Sequence, residues 1–245
     1  MTYRLNPQLD RAALAAEFRE RGRLHIPDVL VAEDAERLFA YLKGSPDWRL
    51  LVNQEDRLFE LDREAQAALA PERKQALEQA VHAAARYGFQ YLYESIRVPD
   101  DDEARAEHGD ALNEFARFLS SPEVLGFFRD IGIDADFADA QATAYGLGHF
   151  LSAHDDAVEG KNRKAAYVFN LTPKWRPDWG GLLMFHRADG HIAEALTPSF
   201  NALNLFAVPQ PHSVSMVAPF AAARRYSVTG WLRTRPPLAT SDDGC

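Results

Sequence analysis

The chain has 245 residues, 47% of them hydrophobic and 26% charged, an ordinary globular composition with enough length for one substantial core. A formal net charge of -9 argues against a general nucleic-acid binder, whose affinity rests on Lys and Arg neutralising phosphates. The single cysteine, Cys245, excludes an intrachain disulfide framework and a cysteine-based metal site and points to a reducing, cytoplasmic setting. Met1 to Arg23 carries charge throughout and no run of about 18 apolar residues occurs, so neither secretion nor a membrane span is expected.

In chain order, Leu9, Leu14 and Phe18 have the spacing of an amphipathic helix over residues 8 to 22. Leu24 to Leu30 alternates and turns at Pro27, and a second helical pattern follows from Ala32 to Leu42. Residues 48 to 52 and 57 to 61 read as a hairpin around Asn53-Gln54-Glu55-Asp56. Pro71 opens an alanine-rich stretch whose apolar spacing, through Tyr87, Phe89 and Tyr91, predicts one long helix from about 71 to 95. Pro99 to Glu103 reads as an acidic loop, followed by helical patterns through Leu112, Phe115 and Phe118 and then Val124, Phe127 and Phe128. From Gln141 the period changes to two and holds to Trp231, with turns at Gly160, Pro173, Pro177, Gly190 and Pro198. This predicts an α+β protein with three parts: an N-terminal helical and hairpin elaboration (1–135) packed on one sheet, an antiparallel barrel or sandwich (136–235), and a short tail (236–245).

The chemistry concentrates at His154-Asp155-Asp156. On a strand, residues i and i+2 share a face, so His154 and Asp156 can offer an imidazole and a carboxylate to one metal while Asp155 points away. His212, on an alternating stretch with Val214 and Met216, can complete the set. Two imidazoles and one carboxylate leave open positions on the metal, the ligand pattern of non-haem Fe(II) oxygenases. Parity along 225–231 puts Arg225, Ser227, Thr229 and Trp231 on one face and Arg224, Tyr226 and Val228 on the other. A guanidinium on the first face would bind a carboxylate bidentately.

These pieces come in a fixed order: Ala144-Tyr145-Gly146, His154-x-Asp156, Val168-Phe169-Asn170-Leu171, Trp179-Gly180-Gly181-Leu182-Leu183, Leu203-Asn204-Leu205-Phe206, Pro211-His212-Ser213-Val214, and Arg225 to Trp231. In that order, from Gln141 to Thr234, the chain resembles the Fe(II)- and 2-oxoglutarate-dependent oxygenases, in particular their prolyl 4-hydroxylase-like branch. The resemblance implies a double-stranded β-helix, or jelly roll, of eight core strands. It implies Fe(II) held by His154, Asp156 and His212, with 2-oxoglutarate and O₂ as co-substrates, and leaves room for ascorbate as an auxiliary reductant. Arg225 keeps the family's spacing to the tryptophan and would take the distal carboxylate of 2-oxoglutarate, with Tyr145 and Thr229 as further co-substrate contacts. The tyrosine that the family often has on the strand after the metal pair is replaced here by Val168 beside Tyr167.

The implied activity is hydroxylation of an unactivated C–H bond with release of succinate and CO₂, the substrate being a prolyl residue in a protein or peptide. A free amino acid or other small molecule is the alternative, since the metal set reports on shared chemistry and not on the prime substrate. An iron halogenase would replace the carboxylate by a small residue, which Asp156 contradicts. A non-catalytic binding module of the same fold would be expected to lose a ligand or the arginine, and all four are kept. Among the other candidates, His149 reads as a polar strand-end residue, His186 and His191 as exposed hairpin residues, and Trp175, Trp179 and Trp231 as core packing.

Overall fold

The computed structural model describes residues 3–54 and 57–236. Glu55, Asp56 and nearly all of the 236–245 tail, Cys245 included, lie outside the described residues. The N-terminal half runs α1 (Arg11–Arg21), β1 (Arg23–Ile26), α2 (Ala32–Gly44), β2 (Arg49–Gln54), β3 (Arg57–Asp62), α3 (Arg63–Ala68), α4 (Pro71–Ala85) and β4 (Tyr91–Arg97). Three helices follow, α5 (Asp102–His108), α6 (Ala111–Leu119) and α7 (Pro122–Asp130). Apart from a 3-10 turn at Pro177–Trp179, the remaining elements are strands: β5 (Phe137–Ala138), β6 (Gln141–Tyr145), β7 (Phe150–His154), β8 (Arg163–Leu171), β9 (Leu183–His186), β10 (Ile192–Leu196), β11 (Phe200–Ala207), β12 (His212–Val214) and β13 (Arg225–Arg233).

Local chemistry sets several of these boundaries. Asp10 caps α1 by accepting from the Ala13 amide, and Gly22 ends it at φ 64°, a left-handed turn that glycine adopts without strain. Asp110 caps α6 through the Leu112 and Asn113 amides. No helix among the described residues is long and apolar enough to cross a membrane.

The strands pair antiparallel in the order β1-β11-β8-β13-β6-β4-β7-β12-β9-β10 and curl into a jelly roll with the helices on one sheet. Side-chain alternation divides the two faces. On β8, Ala165, Tyr167, Phe169 and Leu171 join the core shared with α2, α6 and α7. Ala166 and Val168 turn inward against Leu183, Phe185 and Phe206. Phe169 stacks on Phe115 of α6, ring centroids 5.1 Å apart, which ties the helical layer to the sheet.

Two expectations are corrected. The long helix over 71–95 is α4, ending at Ala85, and then a strand, β4. After Gly88, the sequence Tyr91-Leu92-Tyr93-Glu94-Ser95-Ile96 alternates aromatic or β-branched residues in the period of a strand. The preceding alanines carry the helical period only as far as the turn. β4 takes a central place, pairing with β6 and β7 on one edge and with β2 on the other. The acidic stretch is also shorter as a loop than expected: Asp101 caps α5, which begins at Asp102.

Candidate active site

The jelly roll holds a cavity of about 380 Å³ whose lining includes the exposed Ala157 and Val158 and the half-buried Arg163. His154, the last residue of β7, is the cross-strand partner of His212, the first of β12. This register brings the two imidazoles to 4.1 Å between centroids. Asp156 reaches them from beyond the strand: its backbone is left-handed (φ 65°), a conformation that Asp tolerates better than most residues. The same-strand argument for His154 and Asp156 is therefore corrected in its geometry, because a turn and not the pleat aims the carboxylate. Arg163 holds that turn by donating to the Asp156 carbonyl at 2.9 Å.

The carboxylate oxygens of Asp156 lie 3.6 Å from His154 Nε2 and 3.5 Å from His212 Nε2. One ligand atom from each of the three residues falls within 4.8 Å of the others. Each imidazole is oriented by a second hydrogen bond, from His154 Nδ1 to the Ser152 carbonyl at 2.9 Å and from His212 Nδ1 to the Gln210 carbonyl at 2.8 Å. A carbonyl only accepts, so Nδ1 carries the proton and Nε2 presents a lone pair to the shared point. Burial, and then the neighbouring His154, pushes the His212 pKa down and favours the neutral ring a metal needs. Two nitrogens and one carboxylate oxygen, with the remaining directions facing the cavity, suit a first-row metal such as Fe(II).

At the start of β13, Arg225 enters the same cavity and is 1% exposed. Its Nη1 donates to the Gly181 carbonyl at 3.0 Å, and its buried Nε has no partner among the described residues. Burial lowers its pKa, and the facing group is the neutral ring of Tyr145, 5.1 Å away. An enclosed guanidinium without an anion is costly, so this end of the cavity fits a carboxylate. The β13–β6 register aligns Arg225 with Tyr145, Ser227 with Thr143, and Thr229 with Gln141, all six lining the cavity. Thr229 stands four residues from Arg225, about 13 Å by strand rise. It is half-buried and, with Trp231, lines both this cavity and a neighbouring surface cleft.

Arg224 faces away, ion-paired with Glu94. Asp155 is exposed and caps its own turn by accepting from the Ala157 amide. His191 is exposed as expected, whereas His186 is half-buried with Nε2 bonded to Ser213 Oγ at 2.9 Å. Trp231 is not core packing alone: it lines the cavity, the Arg163 guanidinium lies 3.5 Å from its ring centroid, and its buried Nε1 has no partner among the described residues. His212 and Val214 share the cavity face, but Met216 lies past the end of β12 and is exposed.

The sequence reading missed Tyr93, whose ring stacks on Tyr145 (5.3 Å, 20°). It also missed the Thr143–Ser227 hydroxyl pair at 2.8 Å and Arg163. Strand parity over 91–96 would have found Tyr93.

Residues 140–233 match the model of the 2OG-Fe(II) oxygenase superfamily. Over 118 residues, 43% of this chain, the sequence is 36% identical to prolyl 3-hydroxylase OGFOD1 of Mus musculus, and the match spans 21% of that protein's length. Among solved structures, a Pseudomonas putida prolyl-4-hydroxylase superposes with TM-score 0.58 at 20% identity, covering 92% of this chain and 100% of its own. A prolyl hydroxylase from Trichoplax adhaerens, solved in complex with a hypoxia inducible factor oxygen degradation domain peptide, superposes with TM-score 0.60 at 16% identity, covering 91% and 88%. At these identities the two structures establish the fold.

Proposed function

We propose that this protein, whose residues 140–233 match the model of the 2OG-Fe(II) oxygenase superfamily, is a 2-oxoglutarate-dependent dioxygenase that hydroxylates a prolyl residue in a protein or peptide, releasing succinate and CO₂. The observation that carries the reading is the buried guanidinium of Arg225, which has no carboxylate partner among the described residues, in the same cavity as the His154, Asp156 and His212 ligand atoms. One group fixes a carboxylate and the other a metal, and a dicarboxylic 2-oxo acid is a molecule that joins the two.

In this reading His154, Asp156 and His212 hold Fe(II). When bound, the metal supplies activation of O₂ coupled to oxidative decarboxylation of the co-substrate, chemistry that belongs to the cofactor. The residues of the chain supply placement. Arg225 takes the distal carboxylate, with Tyr145 and Tyr93 closing that end against water. The Ser152 and Gln210 carbonyls keep both imidazoles in the ligating tautomer. At the other end, Arg163 and Trp231 flank the opening through which a substrate side chain enters.

The peptidyl substrate is favoured by the similarity to prolyl 3-hydroxylase OGFOD1 and by a cavity that opens to the surface. The test is to incubate the enzyme, Fe(II) and 2-oxoglutarate with a cell extract separated by size, and follow oxygen incorporation by mass spectrometry. Incorporation into prolyl residues of the protein and peptide fraction is expected. Incorporation confined to the small-molecule fraction would replace this reading with hydroxylation of a free metabolite.

A further inference from the structure

A second cavity, of about 460 Å³, lies across β4 from the first. α3, α4 and the loop between them form one wall, while β2, β4 and the Gly146–His149 turn form the other. The two cavities share walls without sharing residues. Tyr91 and Tyr93 of β4 face the first, and Leu92 between them lines the second. Arg225 enters the first, and Arg224, its neighbour in the chain, lines the second. The proposed oxygenase chemistry makes no use of this second space, whose volume is that of a small-molecule site.

Its lining has an apolar part, Leu50, Leu69, Leu77 and Leu92, and a polar end. At that end Arg224 lines the cavity, and behind it, outside the lining, the carboxylate of Glu94, 1% exposed, is shared by Arg224 and, at 3.5 Å, Arg63. One carboxylate against two cations leaves one positive charge in excess, while Lys74 and Glu78, also in the lining, offset each other. Arg224 keeps a side chain 42% exposed and so has donors left to offer. His149 Nδ1 is buried and has no partner among the described residues. Burial holds its pKa down at about 4, so the ring is a neutral hydrogen-bonding group at physiological pH. A purely hydrocarbon ligand would leave these polar atoms unmatched, and a dianion would overshoot the surplus of one charge.

We propose that this cavity binds a small amphipathic monocarboxylate, its hydrocarbon chain against Leu50, Leu69, Leu77 and Leu92 and its carboxylate on Arg224 beside His149. The inference is independent of the oxygenase reading, and its test is a binding measurement that needs no turnover. Octanoate and its neutral counterpart octanamide are titrated into the full chain by calorimetry, and a thermal melt followed by circular dichroism checks the folding of each variant. Saturable one-site binding of octanoate is expected, at least about tenfold tighter than octanamide, a difference of ~1.4 kcal/mol. Leu77→Trp, which fills the cavity, should abolish it, and Arg224→Gln should reduce it to the level of the amide. Arg225→Leu, which removes the cation of the first cavity, should leave it unchanged. Should Leu77→Trp fail the folding check, Leu69→Phe takes its place with the same expected loss. Equal binding of acid and amide, no saturation below ~10 mM, retention in the cavity-filling variant, or loss in Arg225→Leu would each overturn the assignment.

Discussion

The ring of Tyr93, from the N-terminal half of the chain, lies nearly parallel to that of Tyr145 with centroids 5.3 Å apart, and Tyr145 in turn faces the guanidinium of Arg225 at 5.1 Å. An aromatic pair of this kind contributes about 0.5–1.5 kcal/mol beyond area burial. Removing it by Tyr93→Ala should raise the KM for 2-oxoglutarate about two- to tenfold while leaving Fe(II) affinity unchanged. Steady-state kinetics with a parallel iron titration checks both halves, and a loss of iron binding would show that Tyr93 supports the metal end instead.

Arg225 and Arg224 should behave differently. Arg225→Leu deprives a buried carboxylate of its partner and should weaken 2-oxoglutarate binding by about 2–5 kcal/mol, measured calorimetrically with the metal site filled. Arg224→Leu, whose guanidinium pairs with Glu94 outside the cavity, should leave that affinity near wild type. The reverse ranking would remove Arg225 from the co-substrate site.

In the proposed metal site, Asp156→Ala should abolish iron binding and with it the proposed hydroxylation, while Asp155→Ala should retain both. Because Asp156 has φ 65°, alanine there also carries backbone strain of roughly 1–2 kcal/mol. Asp156→Gly relieves that strain and removes the carboxylate equally. If Asp156→Gly bound iron as the wild type does, the carboxylate would not be a ligand.

Stability should depend on the contact between Phe169 of β8 and Phe115 of α6, both about 1% exposed. Phe169→Ala is expected to cost about 3–5 kcal/mol, read as a lowered midpoint in urea with an unchanged slope. A variant within about 0.5 kcal/mol of wild type would mean that the helical layer is not clamped to the sheet there.

Residue type and the ordered series of motifs from Ala144 to Trp231 singled out His154, Asp156, His212 and Arg225, which the fold brings into one cavity; strand parity separated Arg225 from Arg224. The local geometry was less legible. Asp156 is aimed by a left-handed turn that no periodicity encodes, and His212 meets His154 through a register between strands far apart in the chain. β4 was hidden because the alanine-rich helical pattern of α4 runs up to it without a proline between. Tyr93 was hidden along with it. The second cavity had no signal at all, since Leu50, Leu77, His149 and Arg224 meet only after the sheet has closed.

The long-range pairings also bear on how the protein is made. Leu24 pairs with Leu205, and Tyr91 with Leu151, so strands that leave the ribosome early find their partners only after most of the chain has emerged at about 5–20 residues per second. Until then β1 and β4 carry open hydrogen-bonding edges, the surfaces most prone to pairing with other chains. A C-terminal fragment starting near residue 136 would meet the same hazard from the opposite side, with β6 and β7 each lacking β4 on one edge and β11 lacking β1. Expression of the isolated segment from residue 136 onward should therefore yield aggregate where the whole chain yields folded protein, and slowing synthesis should lengthen the interval in which chaperones are needed.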